Sequence, residues 1–210
     1  MQLLLIRHGQ SEGNAVRRIQ GPEDEPLTEL GRAQALALAK RLQQEHDICA
    51  LYSSSLLRAR QTAEIIADVL GLTINLDERL REYDPGVVTG MSLEEVRAQY
   101  PEIARGWAED PWRVPIPGEE GAEAFQRRVL EAMGDIVAFH EGEATVAVVA
   151  HGGTLGAYLA GLLQLDYRKR QPWVFDNASL SAVILGGVRP RIALLNDTCH
   201  NNHSYGGAPA

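Results

Sequence analysis

The stretch ATVAVVAHGGTLGAYLAGLLQL, residues 144–165, can be read in two ways, and the choice decides the fold. It is nearly uncharged and about long enough for one helix to cross a bilayer. Its first part is nevertheless rich in Val, its second in Leu and Ala, and His151-Gly152-Gly153 separates them. That change of composition at a pair of glycines reads as a buried strand, a tight turn and a buried helix. An ionisable ring halfway along a true span would also be costly. The strand-turn-helix reading is therefore adopted, and no membrane partner is expected.

Further apolar runs of strand length surround it: LLLI (3–6), ICALY (48–52), LSAVIL (180–185) and IALL (192–195). The continuous ones read as strands covered on both faces. Helical patterns alternate with them. Thr28 is placed to cap a helix reaching about Glu45, a serine among Ser53–Ser55 to cap one ending near Leu70, and Ser92 to start a shorter one, while a further pattern runs from about Ala122 to His140. The alternation predicts an α/β protein, a three-layer α/β/α sandwich around a mainly parallel central sheet.

With 210 residues and 45% hydrophobic content, one sizeable core is expected, hence a single domain over 1–210. Residues 83–121 are expected to form a lid or substrate-specificity region, because WAEDPWRVPIPGEEG (107–121) is rich in Pro and Trp and interrupts the helical rhythm. The polar, Gly-rich end, 201–210, is expected to be a flexible tail. A formal net charge of -8 argues against nucleic acid as a partner, since phosphate backbones attract broad basic surfaces. Cys49 and Cys199 show neither a disulfide framework nor metal-ligand spacing. A cytoplasmic setting follows, with no metal and no cofactor expected.

In sheets of this kind ligands bind beyond the carboxyl ends of the strands. That rule brings Arg7-His8, the Ser53–Arg58 segment and His151-Gly152 to one rim. The strand LLLI runs into Arg7, His8 and Gly9, so it delivers a guanidinium and an imidazole there, with Gly9 permitting close backbone approach. Arg58 falls in the first turn of a helix, whose amino end already attracts anions; a cation at that point makes sense beside an anion. Each of these residues alone reads more simply as a surface or core side chain. Two strand-end histidines and two arginines converging on one rim point instead to an anion site.

The ordered set RHGQSEGN (7–14), QGPEDEPLTELGRAQA (20–35), SSSLLRARQTA (53–63), LREYDPG (80–86), PGEEG (117–121), AHGG (150–153) and LNDTCH (195–200) resembles the histidine phosphatase superfamily, the phosphoglycerate-mutase-like family. The resemblance implies that fold, with a lid insertion, and a metal-independent phosphatase acting on small phosphomonoesters through a covalent phosphohistidine. It implies His8 as the nucleophile, and Arg7, Arg58 and His151 as the group holding the phosphoryl oxygens, with His151 protonated. It implies Glu82 as the proton donor. Asn14 and Gly152 are implied near the phosphate, and Gln20 and Gly21 at the substrate entrance.

Substrate is less sharply implied. Many relatives continue past the proton-donor Glu into a Phe-Gly-x-Trp-Glu-Gly-like segment, where this chain reads Tyr83-Asp84-Pro85-Gly86-Val87-Val88-Thr89-Gly90. A small phosphorylated metabolite, phosphoserine or another phosphorylated acid, is the expected partner, with Trp107, Trp112 and Arg113 placed to cover it or simply to pack the lid. Cofactor-dependent phosphoglycerate mutase is the first alternative, because RHGQSEGN looks like the mutase form of the motif; the longer insertions of such mutases are missing. A non-catalytic phospholigand-binding protein is the second. Asn196, Asp197 and His200 are assigned to structural hydrogen bonds. A homodimer joined through the 180–185 strand remains open.

Overall fold

The computed structural model describes residues 1–109, 114–140, 142–166 and 172–201. Six strands form one sheet: β1 (Gln2–Arg7), β2 (Ala50–Ser54), β3 (Ile74–Asp77), β4 (Thr145–Ala150), β5 (Leu180–Ile184) and β6 (Arg191–Asp197). Their spatial order is β3-β2-β4-β1-β5-β6. The pairs β3/β2, β2/β4 and β4/β1 are parallel, whereas β1/β5 and β5/β6 are antiparallel. The sheet is thus mainly parallel, with β5 running against the rest.

Seven α-helices accompany it among the described residues: α1 (Glu12–Ala15), α2 (Glu29–Glu45), α3 (Leu57–Leu70), α4 (Leu93–Gln99), α5 (Pro101–Glu109), α6 (Ala122–Phe139) and α7 (Gly152–Leu162). Side chains alternate across a strand, so each central strand feeds both faces. Leu3, Leu5, Val146 and Val148 face α6 and α7 through Phe125, Val129, Met133, Leu155 and Leu159. Leu4, Ile6, Ala147 and Val149 face α2 and α3 through Leu38, Leu42, Ala63 and Ile66. This double cover is why β1 and β4 read as unbroken apolar runs, and it makes the three layers.

Residues 144–165 form β4, a turn and α7, as expected. Among the described residues no helix is long and apolar enough to cross a membrane. Four details differ from the sequence reading. The second strand starts at Ala50, leaving Ile48 to pack outside it. The amino cap of α3 is Leu56 without a side-chain bond; Ser54 acts one step earlier, its Oγ accepting from the Leu56 amide at 3.3 Å. β3 was not expected: only Ile74 and Leu76 in INLD are apolar, and the strand lies at the sheet edge. β5 is paired on both sides, so the 180–185 strand offers no free edge for a second copy.

Beyond β3 the chain makes a 3-10 turn at Glu78–Leu80 and enters the 83–121 region. That region has its own small apolar cluster of Val88, Val96, Ile103 and Ile116, against which Ile19, Tyr100, Trp107 and Val114 pack. The helical rhythm persists through Glu109 in α5 rather than failing at Trp107. Trp112 and Arg113, and the tail from residue 202 onward, lie outside the described residues.

Candidate active site

Strand register creates the rim. Arg7, the last residue of β1, stands opposite Ala150, the last of β4, and the next residues are His8 and His151. Their ring centroids lie 5.1 Å apart at an interplanar angle of 58°. The His8 amide donates to the Ala150 carbonyl at 3.0 Å, and the His8 carbonyl accepts from the Ala178 amide at 3.0 Å and from Asn177 Nδ2 at 3.2 Å. The imidazole of His8 is therefore fixed at its backbone from three directions.

Its ring is fixed as well. His8 Nδ1 lies 2.7 Å from the Gly9 carbonyl oxygen, which can only accept, so Nδ1 carries the proton and Nε2 keeps its lone pair. The side chain is 3% exposed. Burial first, then the positive charges of Arg58 and Arg7, hold its pKa well below the ordinary 6.5. His8 thus presents a neutral imidazole of defined tautomer at neutral pH, with Nε2 unprotonated.

Arg58, in the first turn of α3, is buried and donates Nη1 to the Glu23 carbonyl at 2.6 Å and Nη2 to the Gly21 carbonyl at 2.8 Å. Its buried Nε has no hydrogen-bond partner among the described residues. Burial lowers its pKa while the Glu82 and Glu25 carboxylates oppose that shift. Arg7 donates Nη1 to the Phe175 carbonyl. Phe175 precedes β5 because that strand runs antiparallel, starting at the rim where the parallel strands end.

His151 Nε2 lies 2.8 Å from Ser54 Oγ at the end of β2, and its buried Nδ1 has no hydrogen-bond partner among the described residues. Burial, Arg58, His8 and Arg7 in that order depress its pKa far below 6.5. Without an anion, two neighbouring guanidiniums and full burial keep it neutral; the protonation expected for it belongs to the phosphoryl-bound state. A bound phosphoryl group would reverse the sign of the local field and favour the imidazolium. Among the described residues no group of three or more His, Cys, Asp or Glu could hold a metal ion.

Glu82 lies five residues past the end of β3, in the loop after the 3-10 turn. Its Oε1 accepts from the Tyr83 amide at 2.8 Å and its Oε2 from the Gly153 amide at 3.0 Å, at the amino end of α7. A Cβ on Gly153 would meet Glu82 Oε1 at 2.3 Å, so a glycine at 153 is what lets the carboxyl seat there. A Cβ on Gly152 would meet nothing closer than Arg7 Nε at 3.8 Å. Of the two glycines, Gly153 is thus the one the carboxyl demands. Gly9 also meets a demand within the fold. A Cβ there would come within 2.4 Å of the Gly31 carbonyl, so the close approach is between this loop and the first turn of α2.

Asn14 Oδ1 accepts from the Ser11 amide at 3.2 Å and from Asn177 Nδ2 at 2.9 Å, which fixes the orientation of its side-chain amide. Gln20 Oε1 accepts from Ser11 Oγ at 2.6 Å, and Gly21, at φ +49, offers its carbonyl to Arg58. The loop carrying Phe175 and Asn177 is pinned from β6. Asn196 Nδ2 donates to Asp176 Oδ2 at 2.9 Å, and His200 Nε2 donates to the Ala178 carbonyl at 2.9 Å. Asp197 accepts from Arg41 Nη2 at 2.9 Å. All three make structural hydrogen bonds.

Sequence reasoning brought Ser54 to the rim only as part of the Ser53–Arg58 segment, without singling it out, and missed Asn177. Ser54 stands at a strand end near Arg58, which is a usable signal; Asn177, in the unpatterned stretch PWVFDNAS, carries none.

Residues 3–198 match the histidine phosphatase superfamily, branch 1. The chain belongs to that superfamily. Within it, the chain is 38% identical over 205 residues to phosphoserine phosphatase 1 of Hydrogenobacter thermophilus, covering 98% of this chain and 96% of that one. It is 36% identical over 183 residues to "Probable phosphoglycerate mutase GpmB" of Yersinia pseudotuberculosis, covering 87% and 84%. A mycobacterial glucosyl-3-phosphoglycerate phosphatase, solved in complex with VO3, superposes with a TM-score of 0.83 at 31% identity, covering 93% of this chain and 98% of that one. This histidine phosphatase is accordingly a phosphatase enzyme with the fold of its relatives.

Proposed function

We propose that the protein hydrolyses small phosphomonoesters through a phosphohistidine on His8 Nε2, with phosphoserine or a similar small phosphorylated acid as substrate. The observation that carries this reading is His8 itself, a buried neutral imidazole whose Nδ1 proton is committed to Gly9 and whose surroundings are two guanidiniums. The Nε2 lone pair forms the P–N bond as the ester P–O bond breaks. A proton from Glu82 goes to the leaving oxygen. Arg7, Arg58 and the Asn14 amide are placed to meet the equatorial oxygens, where charge accumulates in the transition state. His151 acquires its proton as phosphate charge enters. In the second half, Glu82 takes a proton from water, the oxygen bonds to phosphorus, the P–N bond breaks and His8 returns to its neutral form.

The likeness to phosphoserine phosphatase 1 supports the choice of substrate class. We assign residues 83–121 as the segment that shapes the substrate pocket, since Glu82 leads directly into it and Tyr83 is bonded to Glu119 at 2.6 Å. A second reading, phosphoglycerate mutase, is favoured by RHGQSEGN and by the GpmB relative. One panel separates the two. Metal-free phosphate release from phosphoserine, 3-phosphoglycerate and other small esters is measured beside formation of 2-phosphoglycerate, with His8→Ala as control. Phosphate release that vanishes in His8→Ala supports the phosphatase; isomer formation without release would overturn it in favour of the mutase.

A further inference from the structure

We propose that Arg128 is a positioning residue for the proton donor, an inference that rests on the assignment of Glu82 above. Arg128 projects from α6 towards the Arg79–Glu82 backbone. Its Nη1 donates to the Arg79 and Arg81 carbonyls, both at 2.7 Å, and its Nη2 to the Glu82 carbonyl at 3.0 Å. Its Nε and Nη2 also donate to the two carboxylate oxygens of Glu120, and its guanidinium lies 4.7 Å from the centre of the Phe125 ring. A guanidinium has five N–H donors in a rigid plane, and this one spends all five.

The carboxyl of Glu82 accepts from the amides of Tyr83 and Gly153, so its reach depends on where its backbone is held. Apart from Arg128, that backbone is held by Thr154, whose Oγ1 donates to the Arg81 carbonyl at 3.1 Å. Glu120 in turn donates its amide to the Asp84 carbonyl at 2.9 Å. Arg128 therefore ties the donor's backbone to α6 on one side and to the end of the 83–121 segment on the other. A lysine, with three donors and no plane, cannot reproduce the set.

The test exploits the fact that a good leaving group needs no proton. Phosphorylation of His8, read as the burst of alcohol or phenol release, is compared for p-nitrophenyl phosphate and phosphoserine in wild type, Glu82→Gln, Arg128→Lys and Glu120→Gln, with thermal unfolding of each. Expected is a loss of about 10²-fold on the alkyl ester and under about 3-fold on the aryl ester, in Glu82→Gln and in Arg128→Lys alike. The double variant Glu82→Gln/Arg128→Lys should lose no more than Glu82→Gln alone. Equal losses on both esters in Arg128→Lys, or none, would overturn the positioning role. Should Arg128→Lys fail to fold, Glu120→Gln decides by the same criterion. A Glu82→Gln variant without leaving-group selectivity would instead reject Glu82 as the donor, a distinguishable failure.

Discussion

The two halves of the site are built differently. The half proposed to hold phosphate consists of residues continuous with buried strands: Arg7 ends β1, His8 and His151 follow β1 and β4, and the strand residues beneath them are fully buried on both faces. The half carrying Glu82, the proposed donor, is a loop beyond a four-residue edge strand, and its backbone is held by side chains from α6 and α7. The first half inherits rigidity from the core, where close packing resists small displacements. The second depends on a few hydrogen bonds and leads into the segment where this chain departs from the common pattern. A phosphoryl group is the same in every substrate, whereas the leaving group is not. The division of labour follows that chemistry.

Substitutions that separate the halves test this contrast. His8→Ala should abolish turnover, by about 10⁴-fold or more in kcat, because the nucleophile acts as one unit with the groups around it. Arg58→Lys keeps the charge but loses the planar fork, and should cost about 10²-fold on aryl and alkyl esters alike, since charge on the equatorial oxygens must be met whatever leaves. Gly153→Ala inserts a methyl group 2.3 Å from Glu82 Oε1. A displacement of that kind should cost about 10²-fold on alkyl esters and much less on p-nitrophenyl phosphate. If Arg58→Lys proved selective for one leaving group, or Gly153→Ala did not, the division between the halves would fail.

Smaller effects sharpen it. Ser54→Ala removes the hydroxyl 2.8 Å from His151 Nε2 and should reduce kcat by about 10-fold on both classes of ester, as a positioning change in the phosphate half would. Acidity supplies a further handle. His8 and His151 both have folded-state pKa values depressed below 6.5, so the unfolded chain binds protons there before the native one does. The stability these two groups lend is complete above 6.5 and is lost as pH falls from 6.5 towards their folded values. Thermal unfolding of the phosphate-free enzyme should therefore shift to lower temperature over that interval, and saturating phosphate should weaken the trend. For the same reason the acid limb of kcat/KM should lie below 6.5; a limb at 6.5 or above would show His8 to be solvated.

What the sequence determined by itself was the rim where β1 and β4 end and the layers around it. Residues 3–6 and 146–150 are continuous apolar runs, so they had to be doubly covered strands, and the residues that end them had to meet at one rim. The long helices α2 and α6 were legible for a similar reason, since period and cap residues are local. The tertiary structure decided the rest. β3 exists because β2 offers it a partner, and its two apolar residues are too few to announce it, so Glu82 could be located by family likeness but not by the strand-end rule. Neutral His151, the need for glycine at 153, and the Arg128 fork all depend on groups brought together from distant parts of the chain, 46 to 49 residues apart for the three carbonyls of that fork. Burial, charge and reach are sums over neighbours in space, and those neighbours are chosen only when the layers pack.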